Sequence, residues 1–332
     1  MRLKAEWERQ NAVVMALPNK NTDWANSNLE GAIANIVRIA QAIAFYQMVY
    51  MLCDDAKKAK EYFCSTANII FIEAPYNDTW TRDYIALSAV EENRDILLDF
   101  KFNGWGGKFE ASLDNKVSKF LHSKGFFGRA KLKSFEFELE GGAIESNGEG
   151  VILTTKSCLL NKNRNGGLSQ SEAEEFLSKN LGAKKVLWVE NSYLEGDDTD
   201  GHIDMLARFV NSDTIAYLKC QDCQDSHYKS LLELEKELKS FKTIDGKPYN
   251  LVPLPFTKPI YDNSGNRLPS SYANFLITNK ALIFPTYKSS KDKIAQETFK
   301  KLFPNKEVIP VPCLELIEQG GSLHCSTMQV SF

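Results

Sequence analysis

The chain reads Asp197-Asp198-Thr199-Asp200-Gly201-His202-Ile203-Asp204-Met205-Leu206-Ala207 near its middle. The apolar run from Met205 to Val210 suggests a strand that begins at Gly201, and alternation along such a strand places His202 and Asp204 on one face. That face then presents an imidazole and a carboxylate about 7 Å apart. A histidine and an aspartate in this arrangement are often only a structural pair, so their role depends on what the rest of the chain brings near them.

A helix followed by a strand recurs along the chain. Helical patterns start at a loose spacing of roughly 55 to 65 residues. They begin near Asp54, Glu110, Ser169, Asp225 and Asp292. The helix that starts at Ser169 has a capping box, with Glu172 three positions on. The strands that follow these helices are Ile69 to Ile72, Leu132 to Phe137, Lys185 to Val189, Tyr249 to Leu254 and Val308 to Val311.

A polar or glycine-rich loop follows each of these strands. The loops are Trp80-Thr81-Arg82-Asp83, Glu140-Gly141-Gly142, Asp200-Gly201-His202-Ile203-Asp204, Arg267-Leu268-Pro269-Ser270-Ser271-Tyr272 and Gly320-Gly321-Ser322-Leu323-His324-Cys325. Because every unit delivers its loop at the same point, we expect the loops to converge on one centre. The sequence therefore predicts an α/β fold whose units close into a ring, as a single domain over 1–332.

Other segments fit this scheme. A buried strand is predicted over 11–18, a helix over 29–44 and a strand over 49–53, and the runs 85–90 and 96–100 form a hairpin. A doubly wound open sheet is the alternative, since it also gathers loops at its strand ends. The lack of a Gly-x-Gly-x-x-Gly loop after an early strand argues against the nucleotide-binding form of that sheet.

Composition limits the class of protein. The chain has 332 residues, of which 43% are hydrophobic and 25% charged, as in ordinary globular proteins. Its net charge of -3 provides no broad basic field, so we expect no nucleic-acid partner. No apolar run is long enough for a membrane span and the first residues lack a signal-peptide core, so we expect a cytoplasmic protein. Most of the seven cysteines should then be buried thiols.

Five side chains in the converging loops form a consistent chemical set: Asp83, Glu140, His202, Asp204 and Cys325. A cysteine can supply a nucleophile, a histidine can move protons, and Glu140 could orient the imidazole and raise its pKa. The two remaining carboxylates suit a planar cation with forked donors, which is a guanidinium group. Held on both edges, that group would present its central carbon to the Cys325 sulfur.

Each of these loops also has a structural interpretation. The aromatic and ionic residues at 80–83 could be a packed ring beside a local ion pair, and the paired glycines could be plain turns. Cys220, Cys223 and His227 could be thought of as a zinc site, but no second pair of ligands lies at a matching spacing. We therefore expect no metal and no cofactor.

Motifs along nearly the whole chain resemble those of the agmatine deiminase family, in the guanidine-modifying superfamily that includes bacterial peptidylarginine deiminases. They are Ala5-Glu6-Trp7-Glu8, Asn77-Asp78-Thr79-Trp80-Thr81-Arg82-Asp83, Phe102-Asn103-Gly104-Trp105-Gly106-Gly107-Lys108-Phe109, Glu140-Gly141-Gly142, Cys158-Leu159-Leu160-Asn161-Lys162-Asn163-Arg164-Asn165, Thr199-Asp200-Gly201-His202-Ile203-Asp204, Arg267-Leu268-Pro269-Ser270-Ser271-Tyr272-Ala273-Asn274-Phe275 and His324-Cys325-Ser326-Thr327.

The resemblance implies a five-bladed α/β propeller of ββαβ repeats with a central active site. By position, it implies that Cys325 is the nucleophile, that His202 is the general acid and base with Glu140 as its partner, and that Asp83 and Asp204 hold the guanidinium. It also makes Trp80, Asp198 and Gly321 candidate substrate-binding residues. Of these, Asp198 is our candidate for the far ammonium of the substrate.

The expected reaction is hydrolysis of agmatine to N-carbamoylputrescine and ammonia through a covalent thiouronium on cysteine, in the service of putrescine and polyamine synthesis. Agmatine is the only partner expected, apart from a possible homo-oligomer. A deiminase of arginine or peptidylarginine is the nearest alternative, and a polyamine-binding protein without catalysis is a second. Arg208, which alternation places on the His202 face, could favour a substrate with a carboxylate.

The sequence departs from relatives at three places. Tyr84-Ile85-Ala86-Leu87 replaces a usual Gly-Pro pair, Glu8 is followed by Arg9-Gln10 in place of Pro-His, and Met328 stands where relatives have the first of two glutamines. None of these changes removes a chemical group of the expected site. They leave the remote end of the substrate pocket less defined.

Overall fold

The computed structural model describes residues 1–190 and 193–332, and the strands in this part of the chain form five separate sheets. Strands are numbered in chain order. The first sheet holds β1 (Arg2–Leu3), β5 (Leu87–Glu91), β6 (Arg94–Lys101) and β7 (Lys131–Glu138), and the second holds β8 (Ile144–Ser146), β9 (Val151–Thr155) and β10 (Lys185–Val189). The third holds β11 (Ala207–Asn211), β12 (Thr214–Lys219) and β13 (Asn250–Pro255), and the fourth holds β14 (Leu276–Ile277), β15 (Ala281–Thr286) and β16 (Glu307–Pro312). The fifth holds β17 (Met328–Val330), β2 (Ala12–Ala16), β3 (Met48–Cys53) and β4 (Ile69–Glu73).

Nine α-helices lie between strands in the described ranges, and most of them connect parallel strands of one sheet. They are α1 (Leu29–Ala44), α2 (Ala56–Glu61), α3 (Thr81–Tyr84), α4 (Gly104–Gly107), α5 (Asp114–Ser123), α6 (Lys156–Leu159), α7 (Gln170–Leu181), α8 (Tyr228–Ser240) and α9 (Asp292–Leu302). Of these, α4 is a single irregular turn with left-handed backbone at Trp105 and Gly106. None of the helices in the described ranges has the length and apolar composition needed to cross a bilayer.

The same order of pairing recurs in each sheet. In four sheets an antiparallel hairpin is followed by a helix and then by a strand parallel to the second strand of the hairpin, as in β11, β12, α8 and β13. In the fifth sheet the antiparallel pair is β17 with β2, and β3 then pairs parallel with β2. The sequence prediction of five helix and strand units is confirmed, including the capping box at Ser169 and Glu172. Helix α7, which this capping box begins, ends where Gly182 adopts a left-handed φ of 72°, a conformation that glycine tolerates best.

The two ends of the chain meet in the fifth sheet. There β17, close to the C-terminus, pairs antiparallel with β2, and β2 in turn pairs parallel with β3. All five residues of β2 are fully buried, as expected for a strand covered on both faces. The fifth sheet is therefore built from segments near both ends of the chain.

One local prediction was wrong. The segment from Gly201 does not enter a strand: His202 has no regular structure, Ile203–Met205 is a 3-10 helix, and β11 starts only at Ala207. Left-handed backbone at Asp200 and Gly201 turns the chain sharply there. Strand alternation consequently does not determine which way the His202 and Asp204 side chains face.

Candidate active site

Two of the five predicted loops, 80–83 and 320–325, supply lining residues to a cavity of about 470 Å³. The loops at 140–142 and 200–204 contact these two from behind, and the loop at 267–272 supplies no lining residue. Of the residues proposed from the sequence, Trp80, Asp83, Asp198, Gly321 and Cys325 line this cavity. His202, Glu140 and Asp204 do not line it; they are buried beside Asp83 and Cys325. The predicted set is thus assembled in two layers, one that faces the cavity and one behind it.

Gly142 allows three of these side chains to meet. A Cβ at this position would lie 2.6 Å from Nδ1 of His202, 2.9 Å from Oδ1 of Asp83 and 3.3 Å from Cγ of Asp204. Such distances exclude any side chain, so the second glycine of the Glu140-Gly141-Gly142 loop is required by packing. Its N–H also donates to Oδ1 of Asp83 at 2.9 Å.

His202 is a buried imidazole with free hydrogen-bonding capacity. Its Nδ1 lies 3.7 Å from Oδ1 of Asp83 and its Nε2 lies 3.9 Å from Oε2 of Glu140, and neither nitrogen has a hydrogen-bond partner among the described residues. Although Glu140 was expected from the sequence to raise the pKa of this imidazole, burial lowers the pKa of His202 to about 3, so the ring is neutral near pH 7. A neutral ring with two unpaired nitrogens can accept a proton from one ligand and donate to another.

The Cys325 sulfur lies at the floor of the cavity. It is 3.7 Å from Oδ2 of Asp204, and Nδ2 of Asn274 donates to it at 3.2 Å. Burial, Asp204 and Asp83 raise the pKa of this thiol well above its ordinary value. The thiol is therefore protonated in the empty site, and a bound cation would be needed to favour the thiolate.

Asp83 is held by a donor on each oxygen. Nε1 of Trp105 donates to Oδ2 at 2.9 Å, and the Gly142 N–H donates to Oδ1. Burial and the nearby Asp204 carboxylate raise the pKa of Asp83 well above its ordinary value despite these bonds. A cation in the cavity would reverse this effect.

Glu140 is paired with an arginine that the sequence reasoning did not single out. Nε of the fully buried Arg164 lies 2.8 and 2.9 Å from the two carboxylate oxygens, and its Nη1 lies 2.6 Å from Oδ2 of Asp200. Burial raises the pKa of Glu140 in spite of this pairing. Arg164 belongs to the quoted 158–165 motif, so an unexplained arginine within a motif was the available signal.

The acidic run before His202 has several separate tasks. Asp197 accepts from the N–H groups of Thr199 and Gly201 and shapes the loop, while Asp200 binds Arg164 and Lys108. Asp198 remains exposed at the cavity mouth, 3.5 Å from Nζ of Lys108.

Other acidic residues at the cavity were missed. Asp23, Asp78 and Glu318 also line it, and none of its lining residues is a lysine, arginine or histidine. Burial raises the pKa of Asp78 to about 7. The cavity is therefore lined by several carboxyl groups, and Lys108 lies beside the outermost of them, Asp198.

The remote wall is aromatic. Trp80 is buried against Trp24, with ring centroids 5.9 Å apart. A Cβ on Gly321 would lie 2.4 Å from the Trp80 ring, so this glycine leaves the space that the indole occupies. Trp105 also lines the cavity, and these two aromatic side chains in the lining suit a narrow aliphatic chain.

Arg208 is not available to a substrate carboxylate. It is fully buried, and its guanidinium binds Glu145, Oε2 of Glu6 at 2.8 Å and the Phe275 carbonyl at 2.7 Å.

The departures from related sequences also lie away from the cavity: the Met328 sulfur and Oε1 of Gln329 contact the Arg82 guanidinium, and the Tyr84 hydroxyl donates to the Asp78 carbonyl. These changes surround the site without lining its remote end.

Two groups of ligand-type side chains are close enough to share a metal within the described ranges: Glu140 with Cys158 and His202, and Glu6 with Glu145 and His324. Arginines already neutralise the carboxylates of both groups. The Cys220, Cys223 and His227 set considered from the sequence is used otherwise, since Nε2 of His227 accepts from the Glu195 N–H at 2.8 Å and Cys223 is exposed.

Comparison with known proteins identifies the family. The model of the Porphyromonas-type peptidyl-arginine deiminase family matches residues 2–331. An agmatine deiminase of Pseudomonas aeruginosa is 31% identical over 355 residues, which cover 99% of this chain and 95% of that protein. A C. jejuni agmatine deiminase variant with substrate bound is 39% identical with a TM-score of 0.93, over 99% of this chain and 96% of that one. A Porphyromonas gingivalis structure titled "Putative Arginine Deiminase" is 44% identical with a TM-score of 0.94, over 98% and 97% of the two chains. The chain therefore belongs to the Porphyromonas-type peptidyl-arginine deiminase family, and its α/β fold is that of the agmatine deiminase structures.

Proposed function

We propose that this protein hydrolyses agmatine to N-carbamoylputrescine and ammonia. The observation that carries the choice of substrate is the acidic lining of the cavity, which contains Asp23, Asp78, Asp83, Asp198 and Glu318 and no basic side chain. Agmatine is a dication, with a guanidinium at one end and an ammonium at the other. A cavity with carboxyl groups at several points of its lining favours such a molecule, and the bound cation in turn favours the ionised form of these groups.

The chemistry follows from the residues at the floor. When the substrate binds, the Cys325 thiol passes its proton to His202 and the thiolate attacks the guanidinium carbon. The C–N bond then breaks as His202 gives that proton to the departing nitrogen, which leaves as ammonia. The resulting S-alkylthiouronium is hydrolysed by a water from which His202 takes a proton, and this releases the product and the Cys325 thiolate. Glu140 orients His202, while Asp83 and Asp204 hold the guanidinium.

The substrate also adjusts the charges of the site. Burial and neighbouring carboxylates raise the pKa of both Cys325 and Asp83 in the empty cavity. A guanidinium placed between them lowers both pKa values, so the thiolate forms when the substrate is bound. The reactive thiolate is then rare in the absence of substrate.

An arginine or peptidylarginine deiminase is the main alternative, and the names of the family model and of the P. gingivalis neighbour favour it. Those substrates carry a carboxylate or carbonyl where agmatine has a hydrogen on carbon, and a carboxylate would face Asp198 and Asp78. Arg208, the side chain that could receive one, is occupied by Glu6 and Glu145. The cavity charges therefore favour agmatine.

The wider setting is part of the same proposal. We propose that the five sheets form the five blades of an α/β propeller with the cavity at its centre, that 1–332 is one domain, and that the enzyme works in the cytoplasm towards putrescine and polyamine synthesis. The repeated pairing order of the sheets and the joining of β2 with β17 support the propeller.

The deciding experiment measures ammonia release from agmatine, free arginine and an arginyl peptide side by side. We expect kcat/KM for agmatine to exceed the other two by orders of magnitude. A preference for arginine or the peptide would contradict the substrate proposal, and binding of agmatine without ammonia release would indicate a polyamine-binding protein. Labelling by a chloroacetamidine, located by mass spectrometry, should occur at Cys325 ahead of the other six of the seven cysteines.

A further inference from the structure

A chain of short contacts behind the cavity joins the N-terminal segment to the proposed guanidinium site. Oε2 of Glu6 lies 2.7 Å from Nε2 of His324, and Nδ1 of the same ring lies 2.8 Å from Oδ2 of Asp204. All three side chains are buried. Glu6 comes from the segment before β2 and His324 directly precedes Cys325, so the contacts bridge 318 residues.

Both nitrogens of His324 therefore face carboxylate oxygens. A neutral imidazole has one N–H, so one of the two contacts would set a nitrogen lone pair against an oxygen lone pair at hydrogen-bond distance. Both contacts are satisfied only if the set of Glu6, His324 and Asp204 holds two protons. The question is where the second proton resides.

The surrounding charges favour the ring. Although burial opposes it, Arg208, His324 and Arg82 hold the pKa of Glu6 well below its ordinary value. Burial by itself would raise the pKa of Asp204, but the hydrogen bond from His324 lowers it below its ordinary value. Burial, Arg208 and Arg82 lower the pKa of His324 itself, and they exceed the effect of Glu6 and Asp204, which raise it. With both carboxylates ionised, each acceptor needs its own N–H, so the geometry of the two contacts opposes that lowering.

We propose that His324 is an imidazolium in the resting protein and acts as a positioning residue. Glu6 keeps this ring charged, and the ring fixes the Asp204 carboxylate for the guanidinium of the substrate. His324 and Nδ2 of Asn274 both bind Oδ2 of Asp204. Oδ1 of Asp204 is buried and has no partner among the described residues. The arrangement thus holds one oxygen and leaves the other for a donor from the ligand.

The groups that face this ring define its pH dependence. They are the carboxylates of Glu6 and Asp204 and, one contact further, the guanidinium groups of Arg82 and Arg208 and the carboxylate of Glu145. Nε of Arg82 also donates to the His324 carbonyl at 3.4 Å. Removing the Glu6 charge should leave the two guanidinium groups dominant and favour the neutral ring.

The test observes the ring directly and needs no substrate. In the full chain with ¹⁵N-labelled histidine, four rings contribute signals, and loss of one set in His324→Gln assigns its resonances. At about pH 8, above the ordinary histidine pKa near 6.5, we expect two protonated nitrogens in His324. In Glu6→Gln, only one nitrogen of the His324 ring should remain protonated. The control is Glu8→Gln, which removes a carboxylate of the same segment that binds Arg2 at 2.6 Å; both nitrogens should stay protonated in this variant. A single protonated nitrogen at that pH in the wild type would overturn the inference.

A kinetic measurement tests the positioning role and rests on the proposed deiminase activity. Glu6→Gln should lower kcat for agmatine about tenfold or more, the scale of one charge-assisted hydrogen bond, with little change in KM and with Glu8→Gln near wild type. A wild-type kcat in Glu6→Gln would refute the positioning role. If the wild type itself released no ammonia from agmatine, the proposed function would fail while the histidine spectra still decided the charge of His324.

Discussion

Cys325 is the residue on which the proposed reaction depends most directly. Cys325→Ser replaces the thiol with a nearly isosteric hydroxyl whose pKa is far too high to ionise in the site. We expect ammonia release from agmatine to fall on the order of a thousandfold or more, with the thermal midpoint and agmatine binding by calorimetry close to wild type. Substantial residual turnover would show that the nucleophile is another residue.

The charge state of the site predicts a difference between two pH profiles. Burial and neighbouring carboxylates raise the pKa of Asp83 and Cys325 in the free enzyme, and both must lose a proton before the reaction. The acid limb of kcat/KM, which reports the free enzyme, should therefore lie at a higher pH than the acid limb of kcat, which reports the bound one.

We expect a separation of about one pH unit or more, since that is the usual effect of an adjacent opposite charge. Initial rates of ammonia release from about pH 5 to 9.5 would measure it. Coincident limbs would mean that substrate binding does not alter these pKa values.

Variants of Asp198 and Lys108 should change KM for agmatine in opposite directions. Asp198 is exposed and already lies 3.5 Å from Nζ of Lys108, so a substrate ammonium must share or displace that partner. Asp198→Asn should raise KM for agmatine roughly two- to fivefold, the scale of an exposed charge pair, with kcat nearly unchanged. Lys108→Gln should lower KM, because it frees the carboxylate.

The ratio of kcat/KM for agmatine to that for arginine should fall in Asp198→Asn. If neither variant changes KM or this ratio, the ammonium lies elsewhere, and Asp78 becomes the next residue to test, since it also lines the cavity.

Short elements between the sheets, rather than the sheets themselves, position the site. The turn at 140–142 allows Asp83, His202 and Asp204 to meet only because residue 142 lacks a side chain. In Gly142→Ala the new methyl group would displace His202 and Asp83, and a misplacement of about 1 Å costs on the order of a hundredfold in rate. We expect a loss of that size in kcat/KM for agmatine.

Gly125→Ala is the matched control for this prediction. Gly125 has a φ of 81°, so alanine strains the backbone, but its Cβ would meet no atom within 4 Å. Both variants should lose stability in thermal melts, and only Gly142→Ala should lose activity. Equal kcat/KM in Gly142→Ala and the wild type would contradict the packing argument.

At the scale of the whole molecule, the sheet that joins the two ends should control cooperativity. Val330 in β17 is fully buried and pairs with Ala12 of β2. Val330→Ala should lower the free energy of unfolding by about 1 to 3 kcal/mol, measured by urea denaturation, and should shift one transition rather than create a second. Ile294→Ala, at a side chain 48% exposed on α9, should change it far less. A separate early transition in Val330→Ala would mean that the terminal sheet unfolds independently of the rest.

The sequence by itself determined the repeating helix and strand units and nominated five candidate side chains for the site, because helical periodicity and motif spacing are local properties of the chain. It did not determine how those side chains contact one another. The strand expected at Gly201 is a left-handed turn and a 3-10 helix. Asn274 and Glu6, which reach Cys325 and His324 from 51 and 318 residues away, carried no local signal of those contacts.

The tertiary structure alone decided which charges are free. Asp200 and Arg208 are paired with side chains from distant parts of the chain, whereas Asp23, Asp78 and Glu318 join Asp198 at the cavity. The physical reason is that a buried charge is stable only beside a partner, and the partners come from loops distant in sequence. Residue type established what each side chain could do, and the packing of the loops decided which of them remained available to a ligand.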